Sequence, residues 1–266
     1  MTMKLARTTL ALACLSAMSA QAAFINDGSE ANLSEVINDN LIVSGSSVNV
    51  LGDTETNDAS TSPYFTSSPD GTNSTATFLI EITSMLTNQS FGIYNGTDYV
   101  QLFSGSDEGS YTTSGGFTGP VVDNENRAQV SFDISGGSYK VYVNNQLEGT
   151  FASNEFGFYL GYGGAPVIYS DAEMNGGTER FVAVQGKGQR INLGSEITYG
   201  CGEQSLSDCV LWENDDYVLG FEDGGDMDYN DLMVYVEDIV PVPEPGTIAL
   251  LGLGLIGLGA ARRRKA

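Results

Sequence analysis

Residues 220–237, GFEDGGDMDYNDLMVYVE, concentrate acidic side chains in one short loop ahead of a strand-like run. No Lys or Arg lies within the stretch to balance them. Calcium binds roughly six to eight oxygen atoms from carboxylates, amides, carbonyls and water, and a glycine pair lets the backbone turn around an ion. The loop therefore predicts a Ca²⁺ site, and the candidate ligands are Asp223, Asp226, Asp228, Asn230 and Asp231.

The spacing of this loop begins like an EF-hand, with Asp226, Asp228 and Asn230 at alternate positions. Two features oppose an EF-hand. Asp231 stands where that loop needs glycine for its sharp turn, and LMVYVE alternates like a strand, which carries Glu237 away from the other acids. The calcium prediction therefore rests on a different loop, and a solvated acidic turn is the alternative.

The same segment resembles a domain of unknown function that occurs in exported bacterial proteins. Its pattern is an acidic pair, a glycine pair and Asp-x-Asp-Tyr-Asn-Asp before a final strand, and Glu222 to Asp231 match it position by position. The match extends over about Trp212–Glu237. The resemblance implies a calcium-associated β-sandwich.

Signatures of catalysis are scarce in the chain. It contains no histidine, which excludes Ser-His-Asp and Cys-His machinery, and it has neither a G-x-S-x-G elbow nor a P-loop. A glycosidase that uses two carboxylates needs only suitably separated acids, so it stays open as a less favoured alternative. The sequence favours a protein that is not an enzyme. A calcium-dependent carbohydrate-binding module is the second alternative, since 13 Tyr and one Trp could form a stacking surface.

The N-terminus predicts an export signal. Lys4 and Arg7 precede the apolar run TLALACLSAMSA and the small-residue arrangement Ala20-Gln21-Ala22. These three parts are typical of a secretory signal peptide, which we place at residues 1–22.

The C-terminus combines prolines, an apolar run and a basic end. Residues 247–261 carry no charge and would span roughly 22 Å as a helix, which is short of the ~30 Å hydrocarbon core. The basic residues that follow would hold this end in the cytoplasm. They are Arg262, Arg263, Arg264 and Lys265.

This order of parts resembles a PEP-CTERM sorting signal, with the motif at Pro243-Glu244-Pro245. The resemblance covers residues 241–266. It implies transient membrane insertion of the helix at 247–261, recognition by an exosortase, and an origin among bacteria that make exopolysaccharide. A plain single-pass anchor is the alternative.

Charge and cysteine content bound the function of the body, residues 23–240. The chain has 34 acidic and 11 basic residues and a net charge of −23, which excludes a nucleic-acid partner. Cys201 and Cys209 are the cysteines of this exported part, and the oxidising compartment favours one disulfide between them over two unpaired thiols. The spacing does not suit zinc.

The body is predicted to be all-β. About ten short runs rich in Val, Ile, Tyr, Phe and Thr alternate with turn residues, including Gly136-Gly137 and Asn144-Asn145. One short helix is expected near Asn32–Asn40. This pattern favours a jelly-roll-like β-sandwich. Its expected core includes Phe78, Phe132, Tyr142 and Phe158.

The sequence thus predicts an exported, non-enzymatic surface or extracellular-matrix protein that is supported by calcium and associated with exopolysaccharide. Its expected partners are an exosortase, the membrane through the C-terminal helix, and the polysaccharide matrix.

Overall fold

The computed structural model of the 266-residue chain describes residues 32–50, 59–60, 62–67, 76–81, 88–105, 111–112, 116–117, 127–135, 137–163, 165–193 and 209–242. The predicted signal peptide at 1–22 and the predicted helix at 247–261 lie outside these residues. Within them, no helix has the length and apolar character needed to cross a membrane.

Antiparallel strands form nearly all of the regular structure in the described residues, which confirms the all-β class. In chain order the strands are β1 (Ile42–Ser44), β2 (Ala59–Ser60), β3 (Phe65–Ser67), β4 (Ala76–Glu81), β5 (Gln89–Asn95), β6 (Asp98–Ser104), β7 (Tyr111–Thr112), β8 (Gly116–Phe117), β9 (Arg127–Ser135), β10 (Ser138–Val143), β11 (Gln146–Phe151), β12 (Gly157–Tyr162), β13 (Ala165–Tyr169), β14 (Phe181–Gln185), β15 (Gln189–Ile191), β16 (Val210–Trp212), β17 (Tyr217–Phe221), β18 (Leu232–Val236) and β19 (Ile239–Pro241). A jelly-roll-like connection of these strands stays a prediction.

Two sheets provide the framework. The larger has eight strands in the order β11-β10-β9-β4-β18-β17-β14-β2, and the smaller has four in the order β13-β12-β5-β6. Phe91 and Phe158 of the smaller sheet share one buried cluster with Phe181 and Phe221 of the larger sheet. The sheets therefore pack on each other through an aromatic core, as period-two strands with one buried face require.

The predicted core is partly confirmed. Phe158 is fully buried, and Phe132 packs against the same cluster while remaining partly exposed. Tyr142 is a correction, because its neighbour Val141 occupies the buried position and successive side chains on a strand face opposite ways. The side chain of Phe78 lies outside the described part of β4.

A second cluster covers the outer face of the larger sheet at β14, β17 and β18. Helix α1 (Leu33–Val36) and the π-helical turn Ile37–Leu41 supply buried Leu33, Val36, Ile37 and Leu41 to this cluster. Asn32 caps α1 in a capping box with Glu35, which confirms one short helix near the expected place. Strands β17 and β18 are consequently buried on both faces.

The last strand, near the C-terminal end of the body, pairs with a strand from the early part of the chain. Strand β19 pairs antiparallel with β3, and the backbone N–H of Val242 donates to the carbonyl of Tyr64 at 2.8 Å. The ordered backbone pairing thus continues to the residue immediately before Pro243.

One hydroxyl lies between two carboxylates at the end of β18. The Tyr235 hydroxyl is 3.2 Å from Oδ2 of Asp216 and 3.3 Å from Oε1 of Glu237. Burial, with the charges of Asp216 and Asp238, raises the pKa of Glu237 to about 7, and burial raises that of Asp216 to about 6. Because a hydroxyl carries one proton, this cluster is best satisfied when one carboxyl is protonated.

We expect this cluster to make the folded state less stable as pH rises. A carboxyl whose folded pKa is raised contributes its stability below the unfolded value, near 4.5, and loses it as pH passes about 7. Glu237→Gln should therefore flatten the pH dependence between about pH 4.5 and 8, by on the order of 1–2 kcal/mol. Urea denaturation in chelator at several pH values measures this, with exposed Glu148→Gln as the control. Equal pH slopes for Glu237→Gln and the unsubstituted protein would contradict it.

Candidate metal centre

The acidic loop closes the hairpin between the two doubly buried strands β17 and β18. Phe221 is paired with Leu232, so the loop comprises residues 222–231. It folds back over β17 at Gly220, where a Cβ atom would lie 2.6 Å from the carbonyl oxygen of Tyr229 and 2.8 Å from Leu33. The N–H of Leu33 also donates to the carbonyl of Asp228 at 2.9 Å. Helix α1 and the strand pairing thus hold the loop at both ends and in the middle.

Glu222 is the central side chain of the loop and is 0% exposed. Its Oε2 accepts hydrogen bonds from the backbone N–H groups of Asp228 at 3.0 Å and Tyr229 at 3.4 Å. Met227 and Tyr229 both have φ of +59°, and this left-handed backbone turns successive N–H groups toward one point. The loop therefore forms a backbone nest around one oxygen of the Glu222 carboxylate.

The Glu222 carboxylate also lies beside two other acids. Carboxylate oxygens of Glu222, Asp226 and Asp228 all lie within 4.8 Å of one another. Oε1 of Glu222 is buried, and no described residue gives it a hydrogen bond. A Cβ atom at Gly224 would lie 3.2 Å from both this oxygen and Oδ1 of Asp226, so the missing side chain keeps the space between them open. The three carboxylates can serve as ligands of a hard divalent cation.

The raised pKa values of two loop carboxyls also favour a cation at this position. Burial, followed by the charges of Asp231, Asp226 and Asp228, raises the pKa of Glu222 to about 7. Burial also raises the pKa of Asp231 to about 6, although backbone N–H donors oppose that rise. Repulsion among these acids is the condition that a bound cation would relieve.

The five acids and amides predicted as ligands divide into separate roles. Asp226 and Asp228 meet Glu222 in the cluster. Asn230 donates through Nδ2 to Oδ2 of Asp228 at 3.0 Å, so it orients that carboxylate. Asp231 accepts from the N–H groups of Asp223 at 2.6 Å and Gly224 at 3.3 Å, which closes the turn.

Asp223 points away from the cluster toward the smaller sheet. Its Oδ2 accepts from Nε2 of Gln89 at 2.8 Å and from the hydroxyl of Tyr162. Those two residues are directly paired across β5 and β12. Asp223 thus links the loop to the ends of β5 and β12, the inner strands of the smaller sheet. Metal ligation by Asp223, Asn230 and Asp231 stays a prediction.

Glu222 is the member of the carboxylate cluster that the sequence reasoning left out of the ligand set. It directly follows the buried strand YVLGF, and a carboxyl at the first position beyond such a strand remains partly inside the fold. That adjacency could have indicated it, because a buried carboxylate needs a cation or a donor.

The other predicted site residues lie wholly or partly outside the described residues. Cys209 is buried next to β16, whereas Cys201 is not among the described residues, so their disulfide stays a prediction. The sorting motif Pro243-Glu244-Pro245 and the basic end, Arg262 to Lys265, also lie outside them.

We expect Glu222→Gln to stabilise the protein in the absence of divalent cations. The amide keeps an acceptor for the N–H groups of Asp228 and Tyr229, removes a buried charge and can donate to the neighbouring carboxylates. At pH 8 in chelator the gain in unfolding free energy should be on the order of 1–2 kcal/mol. Urea denaturation measures it, and a loss of similar size would show that the Glu222 carboxylate needs no counter-charge.

Comparison with known proteins identifies the C-terminus. Residues 241–265 match the PEP-CTERM protein-sorting motif. No curated protein and no solved structure matches the chain significantly. The motif confirms the predicted sorting signal and implies an exported protein that is sorted, with membrane association, by an exosortase.

Proposed function

We propose that this exported protein is a non-enzymatic surface or extracellular-matrix component whose β-sandwich is stabilised by Ca²⁺ bound in the loop at residues 222–231. The proposal is supported by the buried Oε1 of Glu222, which has no hydrogen-bond partner among the described residues and belongs to the cluster with Asp226 and Asp228. A buried carboxylate that is only partly hydrogen-bonded costs several kcal/mol unless an ion or a proton compensates its charge.

Calcium fits this donor set better than a transition metal does. The donors are carboxylate oxygens, the chain has no histidine, and hard cations prefer oxygen. Calcium also tolerates an irregular shell that water and backbone carbonyls complete, whereas magnesium demands near-octahedral geometry. Glu222, Asp226 and Asp228 would hold the ion, and their three negative charges would more than offset its two positive ones.

The position of the site explains what the ion would do for the fold. The loop connects β17 and β18, which occupy adjacent inner positions of the larger sheet and contribute to both buried clusters. An ion at this hairpin would therefore stabilise the element on which both cores pack. An exported, strongly acidic body in a matrix of exopolysaccharide would be stable where calcium is present and weakened where it is absent.

We expect millimolar Ca²⁺ to raise the melting temperature of the full chain in detergent by several degrees. Binding to the folded state alone stabilises by about 2.7 kcal/mol at a concentration one hundred times the dissociation constant. Asp226→Ala combined with Asp228→Ala should abolish the increase. Asp98→Ala combined with Glu148→Ala removes two exposed acids elsewhere and should retain it. Differential scanning calorimetry measures these melting temperatures. Identical melting curves in calcium and in chelator would refute the proposed site.

The glycine pair offers a finer test of the same geometry. Gly224→Ala places a methyl group 3.2 Å from the carboxylate oxygens of Glu222 and Asp226, whereas a Cβ atom at Gly225 meets nothing within 4 Å. Gly224→Ala should weaken calcium binding by about tenfold or more, since displacing one or two ligands costs at least 1.4 kcal/mol. Gly225→Ala should bind as the unsubstituted protein does. Isothermal titration calorimetry measures the calcium affinity of each variant. Equal affinities of Gly224→Ala and Gly225→Ala would show that the ion does not bind beside Gly224.

A further inference from the structure

A cleft of about 430 Å³ adjoins the acidic loop at Asp223, and none of the three clustered carboxylates lines it. Its walls include Tyr162 at the end of β12, Val167 in β13, Arg180 before β14 and Asp223 in the loop. Met174 also lines it. The cleft therefore lies where the loop meets the edge of the smaller sheet.

Two charged groups are held rigidly at the cleft wall. Arg180 donates from Nη1 to the carbonyl oxygens of Glu222 at 3.2 Å and Gly224 at 3.0 Å. Asp223 is fixed through Oδ2 by Gln89 and Tyr162. Within the described part of the chain these contacts leave Oδ1 of Asp223 and the other guanidinium N–H groups of Arg180 for a ligand. An acceptor and a donor thus stand on one wall.

Apolar surface completes the cleft. The side chains of Val167 and Met174 are 52% and 40% exposed, and both line the cavity. Exposed apolar side chains beside fixed polar groups are typical of ligand sites. A sugar ring matches this combination, because its C–H face can cover Val167 and Met174 while adjacent hydroxyls donate to Asp223 and accept from Arg180.

The tyrosine-rich face of the smaller sheet is less suited to that role. Tyr94 and Tyr159 are buried, and their rings meet neighbouring tyrosines edge-on, at 81° to Tyr169 and 88° to Tyr99. The ring of Tyr159 also lies over Gly92, where a Cβ atom would be 2.7 Å away. These rings pack against each other and the sheet, so they form no flat stacking surface.

The cleft and the cation cluster share one short segment of chain. Glu222 faces the cluster and the next residue, Asp223, faces the cleft, while Arg180 is bonded to the carbonyls on either side. An ion that orders residues 222–224 would therefore order both charged groups of the cleft. Because coupling between sites is reciprocal, a ligand in the cleft would strengthen ion binding in turn.

We propose that this cleft binds a neutral saccharide and that calcium in the adjacent loop increases the affinity. The proposal rests on the proposed calcium function and adds its ligand class. A neutral sugar is favoured over an acidic one because the carboxylate of Asp223 and the net charge of −23 repel anions.

The test is isothermal titration calorimetry of the full chain, in a detergent without a sugar head group, with cello-, manno- and galacto-oligosaccharides. We expect one neutral series to bind in calcium and to bind at least about fivefold more weakly in chelator, as coupling between sites typically gives. Met174→Glu fills the cleft wall without touching the loop and should weaken binding by about tenfold or more. Leu147→Glu, at a side chain that is 54% exposed on β11, is the matched control and should not change it.

The outcomes separate the two proposals. Calcium stabilisation without binding of any neutral oligosaccharide would overturn the cleft proposal and leave the calcium site standing. Stronger binding of oligogalacturonate than of the neutral series would overturn the ligand class. Saccharide binding of equal strength in calcium and in chelator would overturn the coupling, and the melting curves in calcium would report independently on the ion.

Discussion

The carboxylate of Glu222 imposes the strongest physical constraint in the described structure. It is fully buried, one oxygen accepts two backbone N–H donors, and the other has no donor among the described residues. The carboxylate also lies in a cluster with Asp226 and Asp228. At separations of 4.8 Å or less, two unit charges repel by about 3.5 kcal/mol or more at an effective dielectric constant near 20. A cation bound among these three carboxylates, as proposed, would replace that repulsion with attraction.

The backbone conformation of the loop is energetically unfavourable by itself, and contacts with the surrounding fold stabilise it. Non-glycine residues with positive φ, here Met227 and Tyr229, are typically less stable by about 1 kcal/mol or more each. Such a conformation persists only where neighbours enforce it. The N–H of Leu33 engages the loop from α1, and the Tyr229 ring is buried in the outer cluster. Helix α1 is therefore part of the support of the site, although it is remote in sequence.

Much of the fold could be predicted from the sequence, since period-two runs and turn residues are local signals. The hairpin at Asn144-Asn145 is an example, because both residues adopt positive φ as their types allow. Tyr142 was wrongly assigned to the core because the sequence of a single strand does not indicate which of its two faces is buried. The orientation of a strand depends on the sheet that packs on it, which is a long-range property.

The sequence predicted which segment forms the candidate site, but it did not predict the direction in which each acidic side chain points. The density of acids located the loop, yet spacing alone could not distinguish Asp226, which meets the cluster, from Asp223, which reaches Gln89 on the other sheet. That division depends on the two positive-φ residues and on the pairing of β5 with β12. Glu222 was not predicted as a ligand because its burial depends on β17, a strand that is buried on both faces by the rest of the fold. Sequence patterns report residue types, whereas the partners of a buried charge are set by tertiary contacts.

The pairing of β19 with β3 has a consequence for how the protein meets the membrane. Backbone hydrogen bonding extends to Val242, and only residues 243–246 separate it from the predicted apolar segment that begins at Thr247. Four residues reach at most about 14 Å even when fully extended. With the predicted helix inserted, the folded domain would therefore lie close to the bilayer surface, and the motif Pro243-Glu244-Pro245 would lie in the short gap between them.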